Sequence, residues 1–115
     1  VGGVAKVNSS KNTVKILVVD DEKSILEFLE IMLSREGFSV EVVSDAKAAM
    51  EKIKAHRFDI VITDISMPGM NGIELLGHVK QQSNDSAVII MTAHGSTGSA
   101  VEAMKLGAAD YLTKP

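Results

Sequence analysis

Asp20, Asp21 and Glu22 stand side by side directly after the apolar run Ile16–Val19. Adjacent carboxylates repel one another. Such a row is surface solvation, an acidic helix start favoured by the helix dipole, or the rim of a site. Asp64 holds a comparable place, at the end of "DIVIT" and ahead of the turn "MPGMNG". Thr92 closes a third apolar run, "AVIIMT", and Lys114 immediately precedes Pro115. If the segments ending at Asp20 and Asp64 are neighbours, Asp20, Asp21 and Asp64 converge. Carboxylates crowded into one cleft need a cation among them. Oxygen-only ligands suit a hard ion such as Mg²⁺, with Mn²⁺ or Ca²⁺ as variants. No histidine pairs with the acids at ligand spacing, which argues against zinc. Lys114 adds a positive charge from the far side, and Thr92 a hydroxyl. A carboxylate ringed by a cation, a lysine and a hydroxyl is suited to accept a phosphoryl group.

These residues need elements to deliver them to one place. Lys15–Val19 ("KILVV") is continuous and β-branched, like a strand buried on both faces. Ile25, Leu26, Phe28, Leu29, Met32 and Leu33 recur at helical spacing, and Gly37 is a helix stop. Phe38–Val43 alternates as a strand, and Ser44 reads as the N-cap of a helix with Ala46, Ala49, Met50 and Ile53 on its apolar face. Asp59–Thr63 is a third strand, Ile73–Gln81 a helix, Ala87–Thr92 a fourth strand, Ser96–Leu106 a helix and Ala109–Thr113 a last strand. Alternation of this kind implies a parallel sheet covered on both faces. In such sheets ligands bind at the carboxyl ends of the strands, where strand order reverses. Asp20, Asp64, Thr92 and Lys114 all follow or close strands at that edge.

The chain of 115 residues suits one domain. Apolar residues make up 45% and aromatics 3%, so the core is aliphatic, with Met32, Met50, Met91 and Met104 expected in it and Met67 and Met70 beside the turn. So few aromatics argue against stacking on nucleic-acid bases. A net charge of −3 gives no field for a phosphate backbone. No apolar run approaches the about 20 residues of a membrane span. The absence of cysteine is compatible with a reducing, cytoplasmic location. Residues 1–14 read as an N-terminal extension or linker.

Four pieces, "VVDDE", "DIVITDISMPGMNGIELL", "VIIMTAHGS" and "AMKLGAADYLTKP", appear in order over residues 15–115. In these the chain resembles the receiver domain of two-component response regulators, and especially receivers of enhancer-binding activators that serve an alternative sigma factor. The resemblance implies an α/β, flavodoxin-like (βα)5 sandwich with sheet order 2-1-3-4-5. It implies that Asp64 accepts the phosphoryl group, and that Asp20, Asp21, Asp64 and the Ser66 carbonyl hold Mg²⁺. It further implies that Lys114 pairs with the acyl phosphate, that Thr92 turns its hydroxyl to it, and that Tyr111 swings inward as part of the switch. The Lys114–Pro115 bond is expected cis. The implied partners are a histidine kinase or phosphotransfer protein and an output domain beyond residue 115, with transcription as the output. The domain itself would bind neither nucleic acid nor membrane and would catalyse only its own phosphorylation and dephosphorylation.

Receivers carry a fifth helix after this Lys-Pro, and the chain stops at Pro115. That departure leads us to expect an uncovered apolar surface on strands one, three and five, which favours a homodimer or lowers stability. The helix from Ser96, with Gly95 and Gly98 near its start, is the expected two-state element. Its face carries Val101 and Met104, next to Tyr111.

Other readings compete. A phosphatase or phosphotransferase with an aspartyl intermediate would want a second acid two residues after the nucleophile, where Ser66 stands. A flavodoxin-like electron carrier would want hydroxyls and glycines in place of Asp20 and Asp21. A receiver-like interaction module that is never phosphorylated would have no need of all these acids and the lysine. Glu22 reads as a helix cap rather than a ligand. His94 reads as solvent-facing near the rim, and His56 and His78 as surface residues.

Overall fold

A computed structural model describes residues 13–82, 85–93 and 97–114. The linker reading of residues 1–12, the setting of His94, the first turn expected at Ser96 and the Lys114–Pro115 bond lie outside the described residues. Among the described residues nine elements alternate: β1 (Lys15–Val19), α1 (Lys23–Arg35), β2 (Ser39–Val43), α2 (Ala46–Ala55), β3 (Ile60–Asp64), α3 (Gly72–Gln82), β4 (Ala87–Thr92), α4 (Thr97–Lys105) and β5 (Asp110–Thr113). The strands form one parallel sheet in the order β2-β1-β3-β4-β5.

The apolar continuity of β1 has a direct cause. Side chains alternate across a strand, and helices lie on both faces here. Ile16 and Val18 pack with Leu26 and Leu29 of α1, together with Ile62 and Met91. Leu17 and Val19 face the other layer, built on Ala46 and Ala49 of α2, Leu75, Leu76 and Val79 of α3, and Ala103 of α4. Leu17, Leu75 and Leu76 are fully buried, and each contributes roughly 1.5–3 kcal/mol by leaving water.

The helix ends follow from local chemistry. Gly37, at φ +95, supplies the left-handed residue that closes α1. The N-cap of α2 is Asp45 rather than Ser44. The helix begins one residue later than expected, and the Asp45 carboxylate accepts the Ala48 N–H at 2.7 Å. Asn71 and Glu74 cap α3 reciprocally: Asn71 Oδ1 accepts the Glu74 N–H at 2.9 Å, and Glu74 Oε1 accepts the Asn71 N–H at 3.2 Å.

Three expectations about burial are corrected. Met32 and Met104 are exposed, because the buried stripes of α1 and α4 run through Leu26 and Leu29 and through Ala100 and Ala103. Met67, expected beside the turn, is buried in the larger core. The surface expected to lie open on β1, β3 and β5 is narrower than that. Ile16, Val18 and Ile62 pack with Leu26 and Leu29 of α1, while Phe28, Ile31 and Met32 of α1 and Leu112 of β5 are among the exposed apolar side chains of the described residues.

Candidate functional site

β1 and β3 are adjacent, with Val19 opposite Thr63. The next residues, Asp20 and Asp64, therefore emerge together at the carboxyl edge. The chain crosses from one side of β1 to the other between β2 and β3, so this edge is where strand order reverses. Asp64 is the last residue of β3, pairs with Met91 and is almost fully buried. The Ile65 N–H donates to the Met91 carbonyl at 2.8 Å, which carries the ladder one residue past Asp64. β5 brings the lysine: Thr113 pairs with Thr92, and the Lys114 N–H donates to the Thr92 carbonyl at 2.8 Å.

Lys114 Nζ sits among carboxylates. It donates to Asp64 Oδ2 at 2.9 Å, to Asp20 Oδ1 at 3.2 Å and to Glu22 Oε1 at 2.6 Å. Burial alone would lower the pKa of this ammonium. Hydrogen bonds to Glu22, Asp64 and Asp20 outweigh it and hold the lysine above its ordinary value. Burial pushes the Asp20 carboxyl up, and the Asp64 charge adds to that; the Glu22 N–H and Lys114 pull the other way.

Asp20, Asp21 and Asp64 each bring an oxygen to within 4.8 Å of the others. Asp20 is fully buried, and its Oδ2 accepts no hydrogen bond among the described residues. That atom lies 3.0 Å from Lys114 Nζ, a charge contact without hydrogen-bond alignment. A buried carboxylate oxygen without a donor, in an oxygen-only set that includes exposed Asp21, fits a hard divalent cation.

The expected residues are thus largely brought together. Asp20, Asp21, Asp64 and Lys114 share one crevice. Ser66 is tied to it by its N–H, which donates to Asp64 Oδ1 at 3.3 Å. Thr92 ends β4 at the same edge and is buried. Tyr111 stands outside the crevice. It is 38% exposed and lines an apolar groove with Ala100, Val101, Met104 and Lys105.

Two residues were underrated by sequence reasoning. Glu22 occupies the N-cap position of α1, and its carbonyl accepts from Ile25 and Leu26. Its side chain makes no cap bond. The carboxylate goes to Lys114 instead, so Glu22 belongs to the site it had been set apart from. Gly72 reads from the sequence as turn chemistry, but its role is a close approach. A Cβ there would run into the Asp64 carbonyl oxygen and lie 2.9 Å from Ile65 Cα. The Gly72 N–H donates to the Ile65 carbonyl at 3.0 Å, which folds the loop after β3 back against the Asp64 backbone. The Asn71-x-x-Glu74 spacing signals the capping box that starts α3 there.

No described helix is long and apolar enough to cross a membrane. The family model for the response regulator receiver domain matches residues 16–115. The transcriptional regulatory protein FixJ of Bradyrhizobium diazoefficiens is 43% identical over 100 residues, which cover 87% of this chain and 49% of FixJ. The chain spans about half or less of the length of the curated relatives it matches. The beryllofluoride-activated NtrC4 receiver domain dimer has a TM-score of 0.83 and 40% identity, over 88% of this chain and 84% of that one. NtrC-family enhancer-binding regulators such as this are among its homologues. A Burkholderia pseudomallei response regulator solved with a phosphorylated aspartic acid, calcium ion and citrate has a TM-score of 0.84 and 27% identity, over 89% of this chain and 60% of that one. Sheet order, acidic crevice and relatives agree: the chain belongs to the response regulator receiver domains of two-component systems.

Proposed function

We propose that this domain is a phosphorylation-dependent switch in which Asp64 accepts a phosphoryl group from a histidine kinase or phosphotransfer protein. The observation that carries the reading is the position of Lys114 Nζ, 2.9 Å from Asp64 Oδ2 and in contact with buried Asp20. An oxygen of Asp64 would form the new P–O bond as the donor's P–N bond breaks. The imidazole leaves with the electron pair. Water later attacks the phosphorus, the acyl P–O bond breaks, and inorganic phosphate leaves with the carboxylate restored. The domain serves its own phosphorylation and turns over no separate substrate.

Asp20, Asp21, Asp64 and the Ser66 carbonyl would hold Mg²⁺, or Mn²⁺ in its place. When bound, the ion supplies charge that neutralises phosphoryl oxygens. Lys114 would hold the acyl phosphate in place by a charge-assisted hydrogen bond. Thr92 would turn its hydroxyl to the phosphoryl group and bias α4, whose face carries Val101 and Met104 beside Tyr111. The output would be transcription, effected by a separate domain. The names and greater lengths of FixJ and similar relatives support that, and the beryllofluoride-activated dimer of the NtrC4 receiver supports a homodimer as the signalling form.

Acetyl phosphate with Mg²⁺ should add a single phosphate mass to the chain. Asp64→Asn and EDTA should each abolish the gain. Labelling that survives either one would overturn the mechanism.

A further inference from the structure

Glu22 makes the shortest of the Lys114 contacts, at 2.6 Å. An ammonium has three N–H donors, and Asp20, Asp64 and Glu22 occupy the Lys114 ammonium together. A fourth acceptor must displace one of them. The Asp20 and Asp64 side chains are 0% and 5% exposed, while that of Glu22 is 55% exposed. Glu22 is the partner that water can receive at little cost.

The backbone explains why Glu22 reaches Lys114. Residue 22 is extended, at φ −91 and ψ 110, and its N–H donates to Asp20 Oδ1 at 2.9 Å. This tie sets the first turn of α1 against the site. Ser, Thr, Asp and Asn are the side chains that stabilise an N-cap, by roughly 1 kcal/mol. Glutamate forgoes that bond here and spans to a lysine 92 residues away.

We infer that Glu22 is a positioning residue that holds Lys114 in the resting state and competes with the phosphoryl group for it. This rests on the phospho-acceptor reading of Asp64. A group that needs Lys114 binds only the fraction of molecules in which Glu22 has let go, so its apparent affinity is reduced by that fraction. Glu22 thereby sets how readily the site accepts its charge, without touching the metal or the nucleophile.

The test titrates the full chain with beryllofluoride at fixed Mg²⁺ and reads half-saturation from backbone amide shifts. Glu22→Ala should lower half-saturation roughly two- to five-fold, the factor expected of a partly exposed ion pair. Glu22→Asp keeps the charge but is one methylene shorter, and should follow Glu22→Ala. In a Lys114→Met background, Glu22→Ala should change nothing. A Glu22→Asp variant that matches the wild type would assign the effect to charge rather than contact and overturn the inference. So would a Glu22→Ala effect that persists without the ammonium, or no effect at all. If Lys114→Met fails to fold, the Glu22→Asp comparison decides. A wild-type chain that neither binds beryllofluoride nor takes label from acetyl phosphate overturns the phospho-acceptor reading. Normal binding that both Glu22 variants leave unchanged overturns only the role of Glu22.

Discussion

The two edges of the sheet use polar residues in opposite ways. At the amino edge, polar groups are matched. The Lys15 N–H donates to Asp59 Oδ2 at 2.9 Å, and Ser86 Oγ donates to the Phe58 carbonyl at 2.6 Å. Lys80 Nζ donates to the Ser86 carbonyl at 3.1 Å, and Arg57 lies within 4.0 Å of both Asp59 and Asp85. At the carboxyl edge, four carboxylates gather among the described residues, and Lys114 answers three of them. Buried polar groups left in surplus cost stability. The amino edge therefore closes the fold, and the carboxyl edge keeps an unbalanced charge ready for something to bind.

Removing a polar group should thus have opposite signs at the two edges, except at Lys114. Lys114→Ala carries the largest expected effect. It strips buried Asp20 and Asp64 of their counter-charge and should cost about 3 kcal/mol in urea unfolding with EDTA. Added Mg²⁺ should recover part of that loss. A cost below that of an ordinary hydrogen bond would break the contrast between the edges.

Ser86→Ala comes next. It takes the hydroxyl from the Phe58 carbonyl and should cost about 1–2 kcal/mol. Labelling by acetyl phosphate should be unchanged. A stability gain at this site would mean the amino edge is strained as well.

Asp20→Asn has the smallest expected effect and the opposite sign. It removes a buried charge and should stabilise the metal-free domain by about 1 kcal/mol. Mg²⁺ should then raise its melting temperature far less than it raises that of the wild type. The pH dependence sharpens the test. Burial raises the folded-state pKa of Asp20. Its protonated form is therefore favoured by folding, and that contribution is lost as pH rises through the folded pKa. Wild type and variant should converge in acid, and the advantage of the variant should appear toward neutral pH. An advantage largest in acid would reverse the sign and refute the account.

Much of this edge is legible in the sequence because strand ends are. "ILVV" before Asp20 and "DIVI" before Thr63 and Asp64 mark where buried strands stop, and a parallel sheet collects such ends. Glu22 is not legible in the same way. An acid at a helix start is usually there for the helix, and its partner here is remote in sequence. The N-cap of α2 was missed by one residue because Ser44 and Asp45 are both good caps. Periodicity placed Met32 and Met104 on apolar faces but says nothing about what covers each part of a face. Gly72 carries no side chain to argue from, and its necessity appears only once the Asp64 carbonyl lies against it.

The groove beside α4 has an optical consequence. The chain has no tryptophan and one tyrosine, Tyr111, which lines that groove. Near-ultraviolet absorption and emission therefore come chiefly from a single ring on one face of β5. A change in that signal reports on this face alone, without any attached dye. The crevice at the end of β1 and β3 is optically silent. A rearrangement that runs from the crevice to the groove would be seen only where it arrives.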